Sequence, residues 1–309
     1  MKSFFILLFC SLFIGLSCKN SNSSHSTLNQ SESDELLERD SVVYHTNFPS
    51  QFVDSRNVEV WLPTGYTKDN TKTFKVLYMH DGQNVLNDRT SYTGIEWGVD
   101  ETLDSLIQTD VVKPTVVVAI WNNGLKRFPE YMPQIPQRYI ESPQAKAALR
   151  DNFGVDNLLS DNYLKFIVEE LKPFIDSTYN VSREQENTAI MGSSMGGLIS
   201  LYAISKYPDV FGAAGCVSTH WPVPMIGEVY MEQVSKTLPD PKTHKIYFDY
   251  GTKTLDAEYE PYQKRVDNMM RKKGFIEGQN WITRKFEGAA HDELSWKKRA
   301  AVPLTFLLK

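Results

Sequence analysis

Ser194 lies at the centre of a Gly-x-Ser-x-Gly pattern that runs from Gly192 to Gly196. The residues just before the pattern suit a short buried strand, and apolar residues recur after it at helical spacing until Pro208. The motif needs a strand, a sharp turn and a helix, because the turn strains the serine backbone and exposes its hydroxyl group. We therefore predict that Ser194 is a nucleophile and that the N–H of Met195, at the helix start, binds an oxyanion.

A nucleophilic serine needs a base within hydrogen-bond reach, and the base needs a carboxylate that orients it. His291 follows a predicted strand at 281–286 and a glycine-containing turn, and Asp256 follows a predicted strand at 245–250. The chain order serine, acid, histidine is that of the α/β hydrolases. His291 is the predicted base and Asp256 the predicted acid. The other acidic candidates are less well placed, because they fall inside a strand or on exposed helix positions: Asp249, Glu258 and Glu260.

A second oxyanion donor is expected where another strand ends. The predicted central strand 74–79 runs into the small polar loop 80–84, and ligands of an open α/β sheet bind where its strands end. Gly82 lets the backbone approach closely, so the N–H of Gln83 is the predicted donor. Further side chains near strand ends are expected to contact substrate or to form a hydrogen-bonded wall: His80, Asp81, Trp121, His220 and Trp221.

Composition and motifs exclude several other classes of function. The formal net charge is −5 and no basic stripe is present, which argues against a nucleic-acid partner. The sequence has no H-E-x-x-H motif and no cysteine-rich spacing, so no metal is required and no cofactor is predicted.

Strands alternate with helices along most of the chain. Residues 41–48 and 56–62 read as two antiparallel strands, and the later alternation predicts a mostly parallel central sheet with helices on both faces. Residues 122–160 break this alternation with recurring prolines. A long irregular insert after a strand end is either a lid or substrate wall, or a scaffold loop.

The N-terminus predicts export from the cytoplasm. Residues 1–17 form a signal peptide with a mostly apolar run that is too short to span a bilayer as a stable helix. Residues 15–18 resemble a bacterial lipoprotein cleavage site with Cys18 as the lipidated residue, and an ordinary secretory signal is the alternative. Residues 18–40 are a Ser/Asn-rich tether, and residues 41–309 are the catalytic domain. Cys216 then has no cysteine partner and is expected to be a core thiol.

Together these features resemble the putative-esterase family of α/β hydrolases. That family includes enterochelin-type siderophore esterases, feruloyl and acetyl-xylan esterases, S-formylglutathione hydrolase and mycolyltransferases. The resemblance covers about residues 55–309, and four stretches carry it: residues 80–84, residues 170–175, the pattern around Ser194, and residues 288–293 with Trp296. It implies the α/β-hydrolase fold, with Ser194 as nucleophile, His291 as base, Asp256 as acid, and Met195 and Gln83 as oxyanion donors.

The resemblance implies a serine esterase that acts through an acyl-enzyme, and the predicted signal peptide places this activity outside the cytoplasm. Acetyl or feruloyl esters of carbohydrate are the expected substrates, and a siderophore ester is the alternative. A hypothesis of another class is a catalytically silent surface lipoprotein that binds a glycan or a partner. The complete set of Ser194, Asp256 and His291 argues against that hypothesis, since a silent protein has no physical need for all three.

Overall fold

The computed structural model of the protein describes residues 41–68, 73–223 and 226–309. Its centre is one sheet of eight strands. In chain order the strands are β1 (Val42–Phe48), β2 (Arg56–Trp61), β3 (Lys75–His80), β4 (Thr115–Ile120), β5 (Thr188–Ser193), β6 (Ala213–Val217), β7 (Lys245–Tyr250) and β8 (Trp281–Lys285). Across the sheet they lie in the order β1-β2-β4-β3-β5-β6-β7-β8.

The sheet combines an antiparallel edge with a parallel body. β1 pairs antiparallel with β2, and β2 pairs antiparallel with β4. From β4 through β3, β5, β6 and β7 to β8 every neighbouring pair is parallel. Parallel neighbours need crossover connections, which helices supply. The predicted α/β-hydrolase fold, with a mostly parallel sheet and an antiparallel N-terminal pair, is therefore confirmed.

Eleven helical segments connect or follow these strands in the described residues. They are α1 (Val99–Gln108), α2 (Arg127–Tyr131), α3 (Pro143–Phe153), α4 (Ser160–Lys165), a π-helical segment (Phe166–Leu171), α5 (Lys172–Thr178), α6 (Met195–Lys206), α7 (Ile226–Thr237), α8 (Glu260–Lys273), α9 (Glu293–Arg299) and α10 (Ala301–Leu308). Short 3₁₀ turns also occur, at Gly82–Asn84 and Thr254–Glu258 among others.

The inner strands are buried on both faces, which explains their continuous apolar runs. Along β3, Val76 and Tyr78 pack into one core and Leu77 and Met79 into the other. Side chains of α6 fill the first core, and side chains of α1 and α10 fill the second. The predicted covering of both faces by helices is therefore confirmed, and Cys216 is a buried free thiol of the first core, as expected.

The insert at 122–160 is more helical than the sequence suggested. Its prolines indicated irregular structure, but Pro143 occupies the first turn of α3, where its missing N–H costs no hydrogen bond. Ser142 caps this helix by accepting from the N–H of Ala145, and Gly154 ends it in a left-handed conformation. Helix α7 has no counterpart among the elements predicted from the sequence. The sequence predicts one final helix over about residues 292–308, whereas the structure divides it into α9 and α10 at Ala300.

The predicted signal peptide, tether and lipidated Cys18 lie outside the described residues. Among the helices of the described part of the chain, none combines the length and the apolar character needed to cross a membrane.

Candidate active site

Ser194 occupies a strained turn between β5 and α6, with φ 58° and ψ −118°. The turn is held against β6, because Ser194 N–H donates to the carbonyl of Val217 at 2.9 Å and His220 N–H donates to the carbonyl of Ser194 at 3.2 Å. A Cβ atom at Gly192 would lie 3.0 Å from the backbone of Gly196, so the strand and the helix approach this closely only with glycine there. Such strain is typical of functional sites, where the surrounding structure enforces it.

His291 and Asp256 form a hydrogen-bonded pair beside this turn. His291 Nδ1 lies 2.6 Å from Asp256 Oδ1, although the two residues come from different loops, after β8 and β7. The loop of His291 is fixed by its own N–H, which donates to Thr254 Oγ1 at 2.7 Å. The imidazole ring is edge-on to Trp296 and Tyr259, with ring centroids 5.0 Å and 5.7 Å away. The ring is therefore held in one orientation by packing and by the carboxylate.

The second oxygen of Asp256 is also fully engaged. Asp256 Oδ2 accepts from Ser218 Oγ and from the N–H of Gly251, each at 2.6 Å. Burial by itself raises the pKa of Asp256, but the hydrogen bonds from His291 and Ser218 and the charge of His291 outweigh it, so that the pKa is lowered. The carboxylate is therefore ionised at neutral pH and accepts the Nδ1–H of His291.

Ser194 and His291 line one cleft of about 660 Å³. The remaining walls come from the loops after β3 and β4, the insert and the start of α9, and their main residues are Asp81, Gln83, Asn84, Tyr92, Asn122, Leu125, Arg127 and Glu293. Within the described residues no hydrogen bond joins Ser194 Oγ to His291, as in many unliganded sites whose catalytic hydrogen bonds form only with substrate. Since Nδ1 is occupied by Asp256, Nε2 is the ring nitrogen left to accept the serine proton.

The two predicted oxyanion donors lie at the starts of helical turns. The first backbone hydrogen bonds of these turns run from Gly197 N to Ser194 O at 3.1 Å and from Asn84 N to Asp81 O at 2.9 Å. The N–H groups of Met195 and Gln83 therefore precede the first internal bonds and remain available to a ligand oxygen. Gly82 allows this arrangement, since a Cβ atom there would lie 2.5 Å from the backbone of Ala119.

Two predicted substrate contacts do not reach the cleft and are corrected by the structure. Trp221 is 1% exposed, packs against Phe248 and donates its indole N–H to Gln263. His80 is 2% exposed, bonds to Tyr163 through Nδ1, and has its pKa lowered to about 3 by burial. Both lie at strand ends, as expected, but their side chains turn into the core rather than toward solvent.

The other predicted wall residues differ in position. Trp121 donates its indole N–H to Glu59 at 2.7 Å and is not part of the cleft wall. His220 bonds through Nδ1 to the hydroxyl of Tyr259 at 2.6 Å, which matches the hydrogen-bonded alternative rather than a substrate contact. Asp81 does line the cleft, so it is the one member of the predicted set of five at the cleft surface.

Arg127 is a cleft residue that sequence reasoning did not single out. Its Nε and Nη2 atoms each lie 2.7 Å from an oxygen of Asp81, and its guanidinium lies over the ring of Tyr131. Burial raises the pKa of Asp81, but the charge and hydrogen bonds of Arg127 outweigh this and lower it. Because Gly124 and Leu125 also line the cleft, the insert supplies one wall of the site, which favours the substrate-wall interpretation over a scaffold loop.

One group of acidic side chains in the described residues is close enough to share a cation: Glu96, Asp100 and Glu101. Glu96 already forms an ion pair with Lys297 at 3.3 Å, and none of the three lines the cleft. The candidate chemistry at Ser194 therefore does not involve this group.

Comparison with known proteins identifies the family to which the chain belongs. The model of the "Putative esterase" family matches residues 50–301. The chain is 26% identical over 247 residues to the uncharacterized protein YbbA of Bacillus subtilis, covering 77% of this chain and 86% of YbbA. It is 25% identical over 261 residues to an endo-1,4-beta-xylanase/feruloyl esterase of Xylanibacter ruminicola, covering 79% of this chain and 28% of that protein.

A solved structure shares the fold at lower sequence identity. The enterobactin esterase FES from Shigella flexneri superposes with a TM-score of 0.58 at 18% identity, covering 86% of this chain and 58% of the other. At 18% identity this similarity shows a common fold only. The substrate must be inferred from the residues of the site.

Proposed function

Because this chain belongs to the Putative esterase family, we propose that it is a serine esterase that hydrolyses carboxylic esters through an acyl-enzyme. The observation that carries the proposal is the hydrogen bond of 2.6 Å between His291 Nδ1 and Asp256 Oδ1, beside a strained Ser194 in the same cleft. A structural serine needs neither a strained backbone nor a neighbouring oriented imidazole.

The acylation step follows from the positions of these groups. Ser194 Oγ attacks the ester carbonyl carbon while His291 Nε2 takes the hydroxyl proton. The carbonyl oxygen becomes an oxyanion that accepts from the N–H groups of Met195 and Gln83. Collapse of this intermediate breaks the ester C–O bond, and the leaving alkoxide takes the proton from His291. The products are the free alcohol and an ester between the acyl group and Ser194.

Deacylation repeats these roles with water as the nucleophile. His291 accepts a proton from water, and the resulting hydroxide attacks the acyl carbonyl in the same oxyanion site. Release of Ser194 Oγ, which regains the proton from His291, gives the carboxylic acid and the free enzyme. Asp256 stays ionised throughout and stabilises the imidazolium that forms in each half-reaction.

The substrate class that we propose is acylated carbohydrate, as an acetyl or feruloyl ester. Similarity to the xylanase/feruloyl esterase supports this class. The cleft also suits it, because polar groups such as Asn84, Asn122 and Arg127 stand beside the exposed ring of Tyr92. Polar groups of this kind fix the orientation of a ligand whose apolar part packs on the ring. A siderophore ester is the second candidate, supported by the shared fold of the enterobactin esterase.

A panel of three esters tests the proposal. We expect the wild-type protein to hydrolyse acetylated xylan or methyl ferulate with kcat/KM at least about tenfold above that for a catecholate siderophore, a difference that corresponds to one well-placed contact in the transition state. Product acids are quantified by chromatography, and the Ser194→Ala protein is the blank for each substrate. Preferential siderophore hydrolysis would instead establish the second candidate. No turnover of any ester, including a short-chain nitrophenyl ester, would favour a silent glycan-binding or partner-binding protein.

We also propose that the protein is a lipoprotein held at a membrane surface outside the cytoplasm by lipid on Cys18. The support is the apolar run before Cys18 and the small residues next to it. Lipoprotein processing adds more than one acyl chain, and stable anchoring takes at least two such signals.

Replacing Cys18 by serine is expected to move the protein from the membrane fraction to the soluble fraction. The variant and the wild type have the same apolar signal and differ only in the thiol that carries the lipid. Without that thiol no lipid is attached, so the membrane anchor is lost. Immunoblots of fractionated cells that express the wild type and Cys18→Ser measure the distribution, and Cys216→Ser is the matched control because its thiol is buried in the core. Equal solubility of the wild type and Cys18→Ser would show that the signal is merely secretory.

A further inference from the structure

A buried polar network surrounds the second oxygen of the Asp256 carboxylate. Ser218 Oγ lies 2.6 Å from Asp256 Oδ2, and it also lies 3.0 Å from Trp296 Nε1 and 2.8 Å from Arg299 Nη2. Ser218 is fully buried and Arg299 is 4% exposed, so water does not compete for these bonds. The network connects Asp256 to the end of β6 and to α9, neither of which contributes Ser194, His291 or Asp256.

The direction of each hydrogen bond in this network is fixed by chemistry. A serine hydroxyl has one proton to donate and two lone pairs that accept. The indole N–H of Trp296 and the guanidinium of Arg299 can only donate, so they occupy both lone pairs of Ser218 Oγ. The hydroxyl proton must then point to Asp256 Oδ2. With Gly251 N–H on the same oxygen, Oδ1 is the oxygen left for His291.

Arg299 is itself held rigidly. Its Nε and Nη2 atoms lie 3.1 Å from the two oxygens of Asp249, and its guanidinium lies over the ring of Phe286 at 4.9 Å. The same Nη2 is 3.9 Å from Asp256 Oδ2, so two buried carboxylates share one guanidinium. Asp249 also accepts from the N–H of Ser218 at 3.0 Å, which fixes the serine backbone at its positive φ of 41°.

We propose that Ser218 and Arg299 are positioning residues of the ester-hydrolysis site, which hold the Asp256 carboxylate in the orientation that receives the Nδ1–H of His291. This inference rests on the proposed function, since it assigns the residues that act through Asp256. Neither residue lines the cleft, so neither contacts the substrate directly.

The proposal predicts a pH effect whose sign follows from electrostatics. Loss of the Ser218 hydrogen bond or of the Arg299 charge makes the Asp256 carboxylate more basic, and a more basic carboxylate stabilises the imidazolium form of His291. Since the base must be unprotonated to act, the acid limb of the kcat/KM profile moves to higher pH.

Other ionisable groups near His291 do not produce this effect. His220 stays neutral, because burial and the neighbouring His291 lower its pKa to about 4. Tyr259 stays protonated, because burial and the charge of Asp256 raise its pKa. Arg127, which is paired with a carboxylate, and Glu293 line the cleft and are unchanged in the variants below.

Ser218→Ala is the decisive variant. It removes the hydrogen bond to Asp256 together with the two that the hydroxyl oxygen accepts from Trp296 and Arg299, but the charge of Arg299 stays paired with Asp249. We expect kcat to fall about ten- to hundredfold, the usual effect of losing a hydrogen bond to a charged group, with KM within about twofold. The acid limb should move up by about half to one pH unit. The downfield proton NMR signal of His291 Nδ1–H should shift or broaden.

Arg299→Lys, which keeps the charge but loses the planar fork, should lose less kcat than Arg299→Met.

Arg56→Lys is a matched control for the arginine variants. Arg56 is also 4% exposed, pairs with both oxygens of the buried carboxylate of Glu130, and lies over the ring of Phe166. It is absent from the cleft wall and from the network around Asp256. Arg56→Lys should reduce thermal stability to a similar extent as Arg299→Lys while leaving the acid limb and the His291 Nδ1–H signal unchanged.

The inference is overturned if Ser218→Ala leaves the acid limb and the Nδ1–H signal where they are in the wild type, whatever happens to kcat. It is also overturned if Arg299→Lys and Arg56→Lys change the pH profile equally. If Arg299→Met does not fold, Ser218→Ala and Arg299→Lys still decide the question. Failure of the proposed function is recognised separately, because a wild-type protein that hydrolyses no ester still gives an Nδ1–H signal to compare with that of Ser218→Ala.

Discussion

Replacement of Ser194 by alanine is expected to abolish ester hydrolysis while leaving the fold intact. The variant loses the only atom that forms the acyl-enzyme, and removal of a serine nucleophile typically costs about 10⁶ in kcat. Stability should change little, because alanine is no larger than serine and Ser194 Oγ makes no hydrogen bond within the described residues. The strained backbone at φ 58° is present with either side chain, so its energetic cost does not differ between the two proteins.

The measurement compares initial rates and melting curves of the two purified proteins. Ser200→Ala is the matched control, since Ser200 lies on the same helix, is fully buried and bonds only to the carbonyl of Gly196. The control should retain its kcat with a modest loss of stability. Turnover by a well-folded Ser194→Ala protein within about a hundredfold of the wild type would contradict the acyl-enzyme mechanism.

Local signals in the sequence were enough to predict the sheet. Each inner strand is a short run buried on both faces, so its apolar residues stand out, and the alternation with helices dictates parallel pairing. The predictions failed where the signal depended on context. Pro143 belongs to the stretch predicted to be irregular, although it starts a helix, and the sequence predicts no element over α7.

The candidate site likewise has one part that the sequence predicts and one part that it does not. Ser194, Asp256 and His291 follow strands whose ends meet at one edge of the sheet, so their neighbourhood could be expected from chain order alone. The partners of Asp256 could not be expected. Ser218 and Arg299 reach it from a different strand end and from α9, and nothing in the spacing of these residues marks the contact. Trp221 was misassigned because a strand end fixes where a residue lies but not where its side chain turns.

The two aspartates near this strand end have different environments, which separates their roles. Asp249 has a structural role, because it accepts hydrogen bonds from Arg299, from the backbone N–H of Ser218 and from the hydroxyl of Tyr247. Asp256 is the carboxylate that contacts His291. Asparagine at each position should therefore affect a different property of the protein.

Asp256→Asn is expected to reduce kcat by about 10³- to 10⁴-fold with little change in thermal stability. The N–H of Gly251 can only donate, so the amide must place its oxygen where Oδ2 lies and its NH₂ group toward His291. His291 Nδ1 then has to accept, which puts the ring proton on Nε2 and blocks that nitrogen as a base. Asp249→Asn should instead lower the free energy of unfolding by about 3 kcal/mol, because the buried Arg299 is left poorly compensated. It should lose far less kcat than Asp256→Asn, because Asp249 holds Ser218 and Arg299 but does not contact His291. Steady-state kinetics and melting curves of both variants give the answer. If Asp249→Asn were the inactive protein and Asp256→Asn the unstable one, the assignment of the acid would be reversed, while Ser194 and His291 would keep their roles.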